Sequence, residues 1–110
     1  MRRGEVWWAE LPAPAGRRRP VLLLSRDEAY LVRELVTVAP LTTRVRQIPS
    51  EVPLGPGDGV PKTCVVNLDT VTTIPRRTLT ERLTALSPIK LAAIDRAVRF
   101  SFGLGEPAAR

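Results

Sequence analysis

Histidine is missing from the 110 residues, and cysteine occurs once, as Cys64. Without histidine, neither a Ser-His-Asp triad nor a Cys-His pair can be assembled. None of the usual spacings of a zinc site is present. Cys64 lies inside Cys64-Val-Val-Asn-Leu and reads as a small core residue. The eleven acidic residues include no clustered pair of aspartates of the kind that holds two metal ions. No metal and no cofactor are therefore expected, and an enzyme built on this chain works with arginine, hydroxyls and carboxylates. There is no run of about 18 apolar residues, so no membrane span is expected. The opening Met1-Arg-Arg-Gly-Glu-Val-Trp-Trp is basic but lacks the apolar stretch of a secretory signal, which points to the cytoplasm. Lysine is scarce: fifteen of the 17 basic residues are arginine.

What is present is a small basic domain. The net charge is +6, the sequence pI is about 11.0, and the hydrophobic fraction is 44%. That fraction is ordinary for a folded protein, and the length supports one modest core, of a size often completed by an oligomer interface. The positive excess favours nucleic acid or an acidic protein as partner. Residues 1–105 read as one domain and Glu106 to Arg110 as a loose tail.

Strands are expected at 5–11, 20–25, 35–41, 48–54, 63–68, 70–74 and 79–86, with 48–54 at an edge because of its two prolines. Residues 12–18 and 55–59 read as loops, and Ser25 to Tyr30 as a short helical turn. Ser87-Pro88 starts a helix, serine capping and proline taking the first position. Leu91, Ile94, Val98 and Phe102 form its apolar stripe, and Gly103 stops it. Short strands followed by one helix predict a mainly β fold, a small antiparallel barrel-like sheet with the helix packed on it.

The segment Gly16-Arg-Arg-Arg-Pro-Val-Leu-Leu-Leu-Ser25 runs three arginines into an apolar strand. The proline forces extended geometry on the residue before it, so Arg19 sits on stiff backbone, where a guanidinium is well placed to hold a phosphate. A solvated loop is the plainer reading. Thr42 ends another strand in Pro40-Leu41-Thr42-Thr43-Arg44; taken singly it is an ordinary strand threonine. If the two strands are neighbours, Arg19 and Thr42 face one crevice flanked by Arg17, Arg18, Arg44 and Arg46, an arrangement suited to a phosphodiester. Trp7 and Trp8 alternate on their strand and point to opposite faces, one to the core and one to a groove or dimer interface.

These pieces, in their order and spacing, resemble the MazF/PemK family of bacterial toxins, the messenger-RNA interferases of toxin–antitoxin systems. The resemblance rests on Arg3-Gly-Glu-Val-Trp-Trp-Ala-Glu-Leu, Arg18-Arg-Pro-Val-Leu-Leu-Leu-Ser25 with Asp27, Val38-Ala-Pro-Leu-Thr-Thr43, Val52-Pro-Leu, Val65-Val-Asn-Leu-Asp69, Val71-Thr-Thr-Ile74 and Leu86-Ser-Pro with the closing helix. It implies an SH3-like barrel that forms a homodimer and cleaves single-stranded RNA without metal. Its catalytic arginine falls on Arg19 and its catalytic threonine on Thr42. The implied reaction is attack of the RNA 2′-hydroxyl on the adjacent phosphorus, leaving a 2′,3′-cyclic phosphate and a 5′-hydroxyl. Arg17, Arg18, Thr43, Arg44, Asp69 and Thr70 are the expected RNA contacts, although a turn-stabilising role suits Asp69 equally well. An acidic, MazE-like antitoxin is the implied partner.

Two features depart from the family pattern. Ala13-Pro-Ala-Gly16 stands where many members carry a longer first loop, and Thr70 stands where relatives often have glutamine. Both bear on substrate choice. The competing readings are a toxin of the same fold that grips a protein such as DNA gyrase, and a passive RNA-binding barrel.

Overall fold

Seven antiparallel strands and two helices are seen in the computed structural model, which describes residues 1–11 and 17–105. The strands are β1 (Glu5–Glu10), β2 (Arg18–Leu23), β3 (Leu35–Thr42), β4 (Glu51–Leu54), β5 (Cys64–Asn67), β6 (Thr72–Pro75) and β7 (Leu79–Ala85). The helices are α1 (Ala29–Val32) and α2 (Pro88–Ser101). Short 3-10 turns cover Pro56–Asp58 and Arg76–Thr78. The expected tail and most of the first loop, residues 12–16 with Ala13 to Gly16, lie outside the described residues.

The strand order is β4-β5-β3-β2-β1-β7, with β6 pairing the first half of β3. The proline-bearing β4 is an edge, as its sequence requires. The sheet is not closed: β4 and β7 remain its two ends. Between them, the Thr84 hydroxyl donates to the Asp58 carbonyl at 3.1 Å, tying β7 to the β4–β5 connection.

The continuous apolar runs of β2 and β3 are explained by burial on both faces. Leu22, Ala39 and Leu41 enter one core, with Val6, Val66, Leu68 and Ile94. Val21, Leu23, Val36 and Val38 enter the other, with Ala9, Ile74 and Tyr30. A strand solvated on one face would alternate instead.

Helix α2 begins as read: Ser87 Oγ accepts from the Lys90 N–H at 3.2 Å, and Pro88 takes the first position. Its buried face is Ile94 and Ala97, with Leu91 and Val98 partly covered. Phe102 does not join the core, being 58% exposed, because α2 ends at Ser101 and Phe102 is its C-cap, off the helical stripe. Strand β2 begins earlier than expected, at Arg18, since Arg18 and Arg19 pair with Glu10 and Ala9 of β1. Strand β4 begins later, at Glu51.

Candidate active site

Arg19 belongs to β2, between Ala9 of β1 and the end of β3. The β2–β3 register pairs Val21 with Pro40 and Leu22 with Ala39. That ladder ends two residues short of Arg19 and Thr42, and both residues line the same two clefts, so the juxtaposition required by the sequence reading is met. Arg19 is half-buried and, among the described residues, makes no ion pair. Thr42 Oγ1 accepts from the Arg44 N–H at 3.1 Å. That bond uses a lone pair and leaves the hydroxyl proton free to donate.

Arg19 and Thr42 form a shared wall between two clefts. The first, about 270 Å³, is bounded further by Trp8, Arg17, Arg18, Thr43 and Lys62, with Cys64 among the apolar residues of its lining. The second, about 170 Å³, is lined by Pro40, Arg44, Arg46, Asn67 and Thr70. The Arg18 guanidinium lies over the Trp8 ring, 4.6 Å from its centroid, and pairs with Glu81. Trp8 is thus the groove tryptophan. Trp7 packs against the second core and donates from its indole to Glu5 at 2.9 Å. Burial pushes the Cys64 thiol up, which keeps it protonated and unreactive.

Of the expected contacts, Arg17, Arg18, Thr43, Arg44 and Thr70 reach one cleft or the other. Asp69 reaches neither. Its carboxylate accepts from the Ser50 hydroxyl at 2.5 Å and from the Ser101 hydroxyl at 2.9 Å, joining the β5–β6 turn to the approach to β4 and to the end of α2. The Ser50 bond, then the Ser101 bond, hold its carboxyl below the usual range. Glu5 is also held low: burial opposes this, but the Trp7 indole, the Arg2 N–H and Arg82 outweigh it. A carboxyl more acidic in the folded state stabilises the fold above its unfolded value, here 3.8 for Asp69 and 4.5 for Glu5. That contribution is lost as the pH falls through the lowered folded value. Urea midpoints between pH 6 and pH 3 are expected to drop below about pH 4, and Asp69→Asn is expected to flatten that drop.

Glu51, 9% exposed, positions the basic loop. Its Oε1 accepts from the Arg46 N–H at 2.9 Å and the Gln47 N–H at 3.0 Å, where Gln47 holds a left-handed φ of 58°. Removing the acceptor strands both donors at a cost of about 1–3 kcal/mol each if they stay dry. Glu51→Ala is expected to lower the thermal midpoint and release Arg44 and Arg46 from the second cleft, whereas Glu51→Gln keeps an accepting oxygen and most of the stability.

Sequence reasoning missed Asn67 and Lys62 as site residues, since neither sits in a local motif, and left open which of Trp7 and Trp8 faces the groove. Among the described residues, no group of three or more His, Cys, Asp or Glu is placed to hold a metal ion. Among the described residues, no helix is long and apolar enough to cross a membrane.

A family model described as the PemK-like, MazF-like toxin of type II toxin–antitoxin systems matches residues 2–102. The chain belongs to this family. It is 46% identical over 97 residues to a protein of Mycobacterium tuberculosis named probable endoribonuclease MazF5, covering 87% of each chain. A second M. tuberculosis relative, named probable endoribonuclease MazF2, is 41% identical over 94% of this chain and 99% of its own. Among solved structures, a mycobacterial endoribonuclease in complex with its cognate antitoxin superposes with a TM-score of 0.86 at 29% identity, covering 97% of this chain and 99% of that one. M. tuberculosis toxin MazF-mt6 gives 0.84 at 32% identity, with 93% and 99% covered. The PemK/MazF fold is therefore the mainly antiparallel architecture expected from the sequence, with its sheet open between β4 and β7.

Proposed function

We propose that this protein is the endoribonuclease toxin of a type II toxin–antitoxin system, acting in the cytoplasm to cut single-stranded RNA and so inhibit translation. The observation that carries this reading is the placing of Arg19 and Thr42 on one wall between two arginine-lined clefts. The names of the relatives support it. The RNA supplies its own nucleophile, the 2′-hydroxyl, which attacks the adjacent phosphorus. The 2′-hydroxyl proton passes to water, the P–O5′ bond breaks and the departing O5′ takes a proton from water, leaving a 2′,3′-cyclic phosphate and a 5′-hydroxyl. Arg19 stabilises the negative charge that grows on the non-bridging oxygens, and Thr42 donates its free hydroxyl proton to one of them. Arginine stays protonated at working pH, so its part is electrostatic rather than that of a base. No metal or cofactor enters the scheme.

The toxin domain spans residues 1–105 and works as a homodimer. An acidic antitoxin segment competes with RNA for the same arginines, as the +6 charge favours. The test is incubation of purified protein with defined single-stranded RNA in EDTA. Cuts at a short motif with 5′-hydroxyl ends, lost in Arg19→Ala, are expected. Intact RNA across a sequence library would overturn the reading and favour a protein-gripping toxin.

A further inference from the structure

The two clefts flanking Arg19 and Thr42 differ in chemistry. The first sets Trp8, one ring face of which Arg18 covers, among apolar residues and four cations, and stacking on an aromatic face accepts any base. The second is lined by polar and cationic side chains whose hydrogen-bonding directions are fixed. A backbone N–H can only donate, so the Asn67 atom bonded to the Asp69 N–H at 2.9 Å must be its amide oxygen. The amide nitrogen then donates one hydrogen to Thr70 Oγ1, also at 2.9 Å. A second amide hydrogen on Asn67 remains, and Thr70, accepting on its oxygen, keeps its hydroxyl proton to give. Arg44 and Arg46 add donors and no acceptor. Among the described residues, no carboxylate lines this cleft; the nearby Asp69 is engaged by Ser50 and Ser101.

We infer that the second cleft reads guanine at a nucleotide adjacent to the scissile phosphate, with Asn67 and Thr70 as the specificity-determining pair. The inference rests on the ribonuclease reading above. Guanine presents two neighbouring acceptors, O6 and N7, on its Hoogsteen edge with no donor between them. On the same edge adenine sets an amino donor beside N7 and cytosine presents its amino donor, while uracil offers the single acceptor O4. The amino donors of adenine and cytosine would face donors in this cleft, and uracil would fill only one of them. The arginines add charge that holds the neighbouring phosphates.

The experiment has two arms. In the first, wild-type protein cuts a randomised single-stranded RNA library. Guanine is expected at one fixed position beside the cut. Replacing that guanosine by 7-deazaguanosine, which lacks the N7 acceptor, is expected to slow cleavage about tenfold, while inosine, which keeps O6 and N7, is cut normally. Thr70→Val is expected to reduce the preference for guanine over adenine about tenfold, by slowing cleavage of the guanine substrate alone. In the second arm, uncleavable 2′-O-methyl strands are bound at equilibrium, and those with guanine are expected to bind more tightly. Cleavage with no guanine preference, or with 7-deazaguanosine tolerated, overturns the subsite and leaves the ribonuclease standing. Guanine-preferring binding without any cleavage leaves the subsite standing and overturns the ribonuclease. Neither binding nor cleavage overturns both.

Discussion

Arg19→Ala is expected to lower the turnover of RNA by more than 100-fold while leaving RNA affinity almost unchanged. Removing one neutral donor to a developing oxyanion typically costs on the order of 100- to 1,000-fold in rate, and Arg19 brings a full charge on a backbone paired to Ala9 of β1. Affinity survives because Arg17, Arg18, Arg44, Arg46 and Lys62 still line the clefts, and phosphate binding draws on their sum. Thr42→Val is expected to lose roughly 100-fold, also in turnover. Because the proposed reaction has both groups acting on the same phosphorus oxygens, the double variant should lose less than the product of the two. Arg19→Lys is not expected to rescue, since a point charge cannot present the planar fork. Single-turnover cleavage beside equilibrium binding separates the two effects, and an Arg19→Ala protein within tenfold of wild-type turnover would falsify the assignment.

Gly59→Ala carries the largest expected change in stability among surface positions. Gly59 adopts φ of +92°, where a side chain is strained, and an added Cβ would lie 2.3 Å from Thr84 Oγ1 and 2.7 Å from Thr84 Cβ. The left-handed backbone costs about 1–2 kcal/mol for an L residue, and overpacking adds about 1–3 kcal/mol, so a loss of about 2–5 kcal/mol is expected in chemical denaturation. Thr84→Ala should relieve this only in part. It deletes the atom at 2.3 Å but leaves the Cβ at 2.7 Å, and it also breaks the bond to the Asp58 carbonyl. The strain falls on the connection that spans the open side of the sheet, so a loss below about 0.5 kcal/mol would mean that the seam contributes little.

Local signals were read well from the chain, and distant ones were not. The start of α2 was legible because a capping serine and a first-turn proline act within four residues. The two-sided burial of β2 and β3 was legible as runs without alternation. Helical periodicity puts Phe102 on the apolar stripe but does not say where the helix stops, and Phe102 falls one residue past its end. Asp69 reads from sequence as an RNA contact or a turn former, but its hydroxyl partners Ser50 and Ser101 stand 19 and 32 residues away. No local pattern announces such bonds. The juxtaposition of Arg19 with Thr42 could be stated only as a condition until both residues were seen to line the same two clefts. Asn67 gains meaning only beside the Thr70 hydroxyl and the Asp69 amide.

The placing of the two tryptophans makes this protein its own optical reporter. Trp8 lies in the first cleft under the Arg18 guanidinium, while Trp7 is held against the core with its indole bonded to Glu5. With Trp7 replaced by phenylalanine, all remaining indole emission originates in the cleft beside Arg19 and Thr42. A ligand that stacks on Trp8 or displaces Arg18 is expected to change that emission, so occupancy of the cleft can be followed in real time without attaching a dye.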